Sequence, residues 1–389
     1  MQHPKLFFVY LALLSMLGFL ATDMYLPAFT AMQDYLVTSA NMVSASLSLF
    51  LAGFCCAQLF WGPLSDKIGR RTVLVWGLSL FTLSCLAVVW VTDARVLLVL
   101  RFLQACGVCA AAVCWQSLVL DHFPKEKAHK MFAAIMPLVA LSPALAPLIG
   151  AWLITHFDWQ AIFVTLTLIS AVLLGLTFYL LPSGRSHASS ETAHLPYKRL
   201  LSRPQFLGNI VIYAACSASF FAWLTGSPFI MGQLGLSPSE IGLSYIPQTV
   251  TFLIGGFGCR ALLNRFSGEQ LLPWLLFAYL VSVSALLVVG LWMTSSLTRL
   301  LVPFSVMAMA NGAIYPIVVS KALKAFPEHS GKAASVQNFT QLGLCFLYSL
   351  WVSSQIEHVV SITVIAMAST VILALIGYFY QASADKSAR

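Results

Sequence analysis

Two ionisable residues lie inside long apolar stretches of the sequence, and their chemistry is that of proton exchange. Asp23 stands near the end of the first stretch and Arg101 near the start of the fourth. A carboxyl group surrounded by apolar groups and one beside a guanidinium bind a proton with different affinities. A carboxyl group that alternates between these environments can couple proton movement to another process, so both residues are candidates for proton coupling.

A short polar segment, WGPLSDKIGRR, separates the second and third apolar stretches. Asp66 can accept hydrogen bonds from helix N-terminal amides or pair with a nearby guanidinium. Gly62 and Gly69 permit a tight turn between close-packed helices, and Arg70 and Arg71 supply positive charge. Basic residues alone would serve as a topology signal without the aspartate and the glycine turn, so the segment predicts a structured connection.

Amides and aromatic rings supply the other polar chemistry within the apolar stretches. Gln337 and Gln341 are four residues apart, as are Asn311 and Tyr315, so each pair shares one helix face. Amides that hydrogen-bond a base edge, beside rings that stack on it, suit a neutral purine nucleoside. The candidate substrate-binding residues are Gln337, Gln341, Asn338, Asn311, Tyr315, Phe220, Trp223, Gln248, Gln116 and Tyr25. Each could instead bond or pack between helices, and Tyr25 also fits a role in helix bending.

These residues must be positioned by helices that cross a membrane. Of the 389 residues, 59% are hydrophobic and 9% charged, a balance unlike that of water-soluble domains. A crossing needs about 20 apolar residues, and a helix satisfies its own backbone hydrogen bonds in lipid. The predicted spans are residues 6–27, 41–63, 72–92, 95–120, 131–156, 159–181, 208–231, 239–264, 270–293, 296–321, 331–354 and 358–380.

The basic residues predict the orientation of these spans. Loops on one side carry nearly all of them, whereas the opposite side carries only Arg95 and Arg299. By the positive-inside rule, both termini and the long loop are cytoplasmic. The predicted parts are a six-helix bundle at 1–181, a cytoplasmic linker at 182–207 and a six-helix bundle with a short tail at 208–389. Two related halves of this kind are typical of transporters.

Within these spans, both ionisable residues fall in the outer half of the membrane. Asp23 and Arg101 could therefore approach each other or each face a shared central cavity. The structural alternatives are an interfacial, hydrated Asp23 and an Arg101 that forms an ion pair or extends to the interface.

The sequence argues against several other classes of protein. The basic residues form no patch interleaved with aromatics, so we expect no nucleic-acid partner. The cysteines show no metal-ligand spacing, and we expect neither a metal nor a cofactor. The sequence contains no P-loop, histidine cluster, paired span carboxylates or nucleophile elbow, which disfavours an ATPase or a membrane enzyme. It has no repeated filter segment, which disfavours a channel.

Several segments resemble the major facilitator superfamily. GPLSDKIGRR resembles the signature cytoplasmic loop of that superfamily, and ATDMYLPAF, RFLQACGVCAA and SPALAPLIGAWL resemble the drug:proton antiporters of its Bcr/CflA subfamily. The resemblance implies an all-α membrane protein of twelve helices in two pseudo-symmetric six-helix bundles. It also implies that Asp23 and Arg101 occupy proton-linked positions. The residues Gly62, Asp66, Gly69, Arg70 and Arg71 would form a latch that closes the cytoplasmic side in the outward-open state.

The resemblance also carries an expectation about the substrate. NIVIYAACSASFFAWLTGSPFI, IGLSYIPQT, ANGAIYPIVV and QNFTQLGLCFL are similar to purine ribonucleoside transporters of the same subfamily. We therefore expect a monomeric, proton-coupled transporter of the bacterial inner membrane that moves purine ribonucleosides by alternating access. Drug efflux by proton antiport is the alternative. Ala105, Ala146 and Ala151 replace glycines of the antiporter pattern, which counts against drug antiport, and the direction of transport stays open.

Overall fold

Helices make up the whole of the regular structure in the described residues. The computed structural model describes residues 4–181, 200–293, 296–326 and 330–387. The first half contains α1 (Pro4–Asp23), a 3₁₀ turn (Leu26–Ala28), α2 (Phe29–Tyr35), α3 (Ala40–Ile68), α4 (Arg70–Val88), α5 (Ala94–His122), α6 (Lys125–His156) and α7 (Gln160–Leu180). The second half contains α8 (Pro204–Gln233), α9 (Pro238–Leu262), α10 (Gly268–Trp292), α11 (Leu297–Lys324), α12 (Ser330–Ser354), a 3₁₀ turn (Ile356–His358) and α13 (Val359–Ser387).

The twelve long helices of the described residues overlap the twelve predicted spans. Ten segments in the described part are long and apolar enough to cross a membrane. The two long helices outside that group, α9 and α12, are continuous but contain polar residues such as Gln248, Gln337 and Gln341, which lower their hydropathy. The first predicted span also differs, because α1 ends at Asp23 and the chain continues through the 3₁₀ turn into α2.

The helices divide into two compact units. The first unit holds α1 to α7 and residues 237–243, and the second holds α8, the remainder of α9 and α10 to α13. Of the predicted linker 182–207, residues 182–199 lie outside the described residues, and residues 204–207 begin α8. The division at that linker stays a prediction.

Glycines allow the helices of each unit to pack backbone to backbone. A Cβ at Gly53 of α3 would overlap the carbonyl oxygen of Phe102 on α5. At Gly107 of α5 it would lie 2.6 Å from the amide nitrogen of Phe81 on α4. Small residues bring helices close enough for extensive dispersion contact, which drives helix association where lipid is as apolar as the protein. Close packing of this kind holds Arg101, which lies on α5, in a fixed position.

Candidate functional site

Arg101 is fully buried inside the first unit, near the start of α5. Its Nη1 donates to Gln104 Oε1 at 2.7 Å, one turn along α5, and its Nη2 donates to the carbonyl oxygen of Ala21 at 3.1 Å. The exposed fraction of Arg101 is 0%. A guanidinium has five donors in a planar fork, and here the fork links α5 to the end of α1.

Aromatic rings surround the remaining faces of this guanidinium. Its central carbon lies 4.0 Å from the ring centroid of Tyr25, 4.4 Å from that of Phe50 and 5.9 Å from that of Phe163. Such cation–π contacts contribute about 2 kcal/mol each when they are desolvated. Tyr25 is itself wholly buried and shares a hydrogen bond of 3.3 Å with Ser46. Tyr25 therefore packs against the arginine.

Asp23 is buried at the end of α1 without a partner in the described part of the chain. Its exposed fraction is 4%, and no hydrogen bond or ion pair of the described residues involves its carboxylate. Arg101 reaches α1 two residues earlier, at the Ala21 carbonyl. Asp23 thus ends α1 and Arg101 contacts that same end, but no ion pair between them occurs among the described residues.

Gly150 of α6 brings another backbone against the end of α1. A Cβ at Gly150 would overlap the carbonyl oxygen of Met24, the residue after Asp23. The retained glycine of SPALAPLIGAWL therefore has a direct packing reason. It lets α6 cover the segment that carries the buried carboxylate.

The polar segment between α3 and α4 forms a one-residue connection. Gly69 has φ +91° and ψ +148°, a conformation that residues with a Cβ rarely adopt. The amide of Gly69 donates to the Ser65 carbonyl at 3.1 Å and ends α3. Gly62 faces open space, with nothing within 4 Å of a Cβ built there. The tight turn is as predicted, whereas the side chain of Asp66 lies outside the described residues.

The two arginines after this turn bind different neighbouring helices. Arg70 Nε lies 3.0 Å from Asp121 Oδ2 at the end of α5. The Arg71 guanidinium lies 5.4 Å from the ring centroid of Phe178 near the end of α7. Asp121 was not among the residues predicted from the sequence. Its position at the end of the fourth span, on the same side as the basic segment, was the available signal.

A similar ion pair occurs in the second unit with the charges exchanged. Lys321 Nζ of α11 lies 3.0 Å from Glu269 Oε1 in the first turn of α10. In the first unit the cation begins the earlier helix of the pair, and in the second unit the anion does. Each pair therefore joins the start of one helix to the end of the next at one end of its own unit.

Polar residues of α8, α11 and α12 meet inside the second unit. Gln341 Nε2 donates to Ser217 Oγ at 3.2 Å, and Ser217 Oγ donates to the Tyr315 hydroxyl oxygen at 3.1 Å. Asn311 Nδ2 donates to the carbonyl oxygen of Cys216 at 3.2 Å. The structure thus brings three of the predicted substrate-binding residues to adjacent positions of α8.

Four buried amide oxygens in the second unit have no hydrogen-bond partner in the described residues, and one of them is Asn209 Oδ1. The other three belong to the predicted substrate-binding residues Gln248, Asn311 and Gln337, and the exposed fraction of each of the four residues is at most 4%. A buried acceptor that makes no hydrogen bond costs about 1–3 kcal/mol of stability. Asn338 is half-buried, and Gln116 of α5 is exposed.

The predicted aromatic residues of α8 stack on a ring of α11. The ring centroids of Trp223 and Phe304 are 4.4 Å apart, and those of Phe220 and Phe304 are 5.9 Å apart. Trp223 is wholly buried, whereas Phe220 is half-buried. In this structure Trp223 packs between helices, and Phe220 is only partly covered.

Most of the helical region matches one family by sequence. The profile described as Major Facilitator Superfamily matches residues 11–349. The chain belongs to this family. Members of the Major Facilitator Superfamily are transporters that work as bundles of membrane-spanning helices, so the chain is a multi-pass membrane transporter with the predicted superfamily fold.

Individual members of the Major Facilitator Superfamily resemble the chain over most of its length. A bicyclomycin resistance protein homolog of Haemophilus influenzae is 24% identical over 99% of this chain and 98% of its own length. The multidrug resistance protein MdtL of Shewanella sp. is 26% identical over 86% and 85%. The multidrug transporter MdfA of Yersinia pestis is 30% identical over 71% and 68%.

Solved structures of the superfamily agree with the fold. A bacterial homolog of the human lysosomal transporter Spinster, in an inward-facing and occupied conformation, covers 99% of this chain and 97% of its own at a TM-score of 0.79 and 14% identity. A D-xylose–proton symporter covers 95% and 96% at a TM-score of 0.72 and 14% identity. At such identities the likeness concerns the fold alone.

Proposed function

We propose that the chain is a proton-coupled exporter of drug-like molecules in the bacterial inner membrane. The observation that carries the proposal is the isolated, buried carboxylate of Asp23. A carboxylate without a counter-charge in an apolar site is costly, so binding and release of a proton there are linked to conformation. The relatives named for drug resistance support drug molecules as the cargo.

The geometry supports different proposed tasks for the two ionisable residues. Arg101 is held by Gln104, by the Ala21 carbonyl and by aromatic rings, so its position is fixed. Asp23 has no such partner and can exchange a proton when one face of the membrane becomes accessible. In alternating access, the protonated form of Asp23 favours one conformation and the ionised form favours the other. This preference couples the movement of the proton to the movement of the cargo.

Purine ribonucleosides are the second candidate cargo. The sequence alone favoured these nucleosides over drugs. The relatives that cover most of the chain are named for drug resistance, so drug export becomes the first candidate. The buried, unpartnered amide oxygens of Gln248, Asn311 and Gln337 favour a cargo with hydrogen-bond donors, such as a nucleobase.

Transport by the purified chain in proteoliposomes tests this proposal. Labelled chloramphenicol, tetraphenylphosphonium, adenosine and inosine would be supplied with and without an imposed proton gradient. We expect the gradient to drive movement of at least one drug against its concentration gradient. Accumulation of the nucleosides alone would favour the second candidate, and identical transport with and without the gradient would contradict proton coupling.

A further inference from the structure

A directed chain of hydrogen bonds in the second unit ends at a tyrosine hydroxyl. Gln341 Nε2 donates to Ser217 Oγ, and Ser217 Oγ donates to the oxygen of Tyr315. An amide NH₂ group can only donate, so the Ser217 oxygen accepts from Gln341, and the Ser217 hydroxyl proton is directed at the Tyr315 oxygen. The Tyr315 hydroxyl therefore accepts one bond and keeps its own proton to donate.

The proton of Tyr315 has no acceptor within the described residues. The ring is held edge-on by Tyr213, at a centroid distance of 4.9 Å, and by Phe252, at 5.8 Å. The ring position is thus fixed by packing, and the Ser217 contact fixes the side on which the hydroxyl accepts. Tyr315 as a whole residue is half-buried, and its donor is unused within the described residues.

An unused acceptor lies one helical turn away on the same helix. Asn311 donates its amide group to the Cys216 carbonyl, which turns its Oδ1 away from α8, and that oxygen is buried without a partner in the described part of the chain. Residues four apart lie on one helix face. Tyr315 and Asn311 therefore supply an unused donor and an unused acceptor on one face of α11.

The charge of the surroundings narrows the class of ligand. The buried polar residues of the described part of this unit are serines, threonines, asparagine and glutamine side chains, without a carboxylate. A cation bound there would gain no counter-charge, whereas a neutral group that joins an acceptor to a donor would satisfy both protein atoms. Amides and lactams have this arrangement.

We infer that Ser217 is a positioning residue that makes Tyr315 a hydrogen-bond donor to the cargo, and that Tyr315 and Asn311 together select neutral compounds bearing an amide or lactam group. The inference rests on the proposed export of drug-like molecules. It adds the residues that discriminate among such molecules, and Ser217 was not a candidate from the sequence.

Equilibrium binding to the full chain in lipid nanodiscs, without any gradient, tests this inference. The probes are chloramphenicol, which carries an amide, inosine, which carries a lactam, and tetraphenylphosphonium, which carries neither donor nor acceptor. Ser217→Ala should weaken binding of at least one of the first two probes by roughly threefold to tenfold. It should leave tetraphenylphosphonium binding unchanged. Tyr315→Phe should give the same selective loss, and the double variant should lose little more than either single variant.

Ser219→Ala is the matched control, because Ser219 is also a buried serine of α8 but donates to Met307 Sδ. It should leave all three affinities unchanged. Equal losses for all probes, or additive losses in the double variant, would overturn the inference, as would a wild-type chain that binds neither acceptor-bearing probe. Because binding needs no gradient, a failure of proton-driven transport with the selective loss intact would refute the proposed function instead.

Discussion

Arg70 and Asp121 join the beginning of α4 to the end of α5, with Nε 3.0 Å from Oδ2. The side chain of Arg70 is 16% exposed and that of Asp121 is 37% exposed, so solvent screens the pair only in part. The one-residue connection at Gly69 places Arg70 at the first position of α4. The turn and the ion pair therefore together hold α3, α4 and α5 at one end.

Exchanging the two charges of the Arg70–Asp121 pair should preserve the stability that is lost when the pair is broken. We expect Asp121→Arg or Arg70→Asp alone to lower the unfolding temperature and slow transport, because each leaves like charges in contact. The double variant reproduces the order of charges at Glu269 and Lys321 and should recover about 0.5–1 kcal/mol of stability. Thermal unfolding in detergent measures this, and Lys67→Glu, at an exposed position of the same segment, is the control. Additive losses in the double variant would contradict a direct pairing.

Arg101→Lys should be poorly tolerated although it conserves the charge. Lysine cannot bond Gln104 and the Ala21 carbonyl from one planar group, nor stack between Tyr25 and Phe50. We expect a loss of about 2 kcal/mol in the stability of the first unit, measured by chemical unfolding in detergent. Arg95→Lys, at an exposed position near the start of the same helix, should cost nothing measurable. Wild-type stability of Arg101→Lys would show that the ring contacts contribute little.

Gly150→Val should disturb the end of α1 by displacing α6. The added side chain would overlap the Met24 carbonyl, and overpacking of this kind typically costs about 1–3 kcal/mol. The unfolding temperature should fall, and so should the yield of monodisperse protein on size exclusion. The matched control is Gly175→Val on α7, where a Cβ meets nothing within 4 Å. If both substitutions behave alike, the close approach of α6 to α1 is not required.

Gln337→Leu should stabilise the empty protein while weakening cargo binding. The Gln337 Oε1 atom is buried without a partner among the described residues, and an apolar side chain of similar size removes that desolvation cost of about 1–3 kcal/mol. The stability part is tested by the unfolding temperature without ligand. The binding part is tested by the affinity for cargo, measured on the same preparation. A lower unfolding temperature would mean that the amide is satisfied in the working protein.

The sequence predicted the helices well because apolar length is a local property. The same holds for Gly69, whose place in a polar segment between two spans indicates a tight turn. The partnership of Arg101 with Gln104 follows from their spacing on one helix, but its contacts with Phe50 and the Ala21 carbonyl depend on how three helices pack. Ser217 looked like an ordinary small residue of a span, because only the approach of Gln341 and Tyr315 from other helices gives its hydroxyl a direction.

The central claim, that Asp23 carries the coupling proton, is tested most directly by Asp23→Asn in proteoliposomes. Asparagine keeps the size and hydrogen-bonding capacity of the side chain but cannot change charge, so the variant should lose gradient-driven accumulation of cargo. Downhill exchange of the same cargo should continue, because it requires only the binding site and the conformational change. Asp34→Asn, an exposed carboxylate of α2, should behave as wild type in both assays. Full gradient-driven accumulation by Asp23→Asn, with an unchanged dependence on pH, would contradict the assignment.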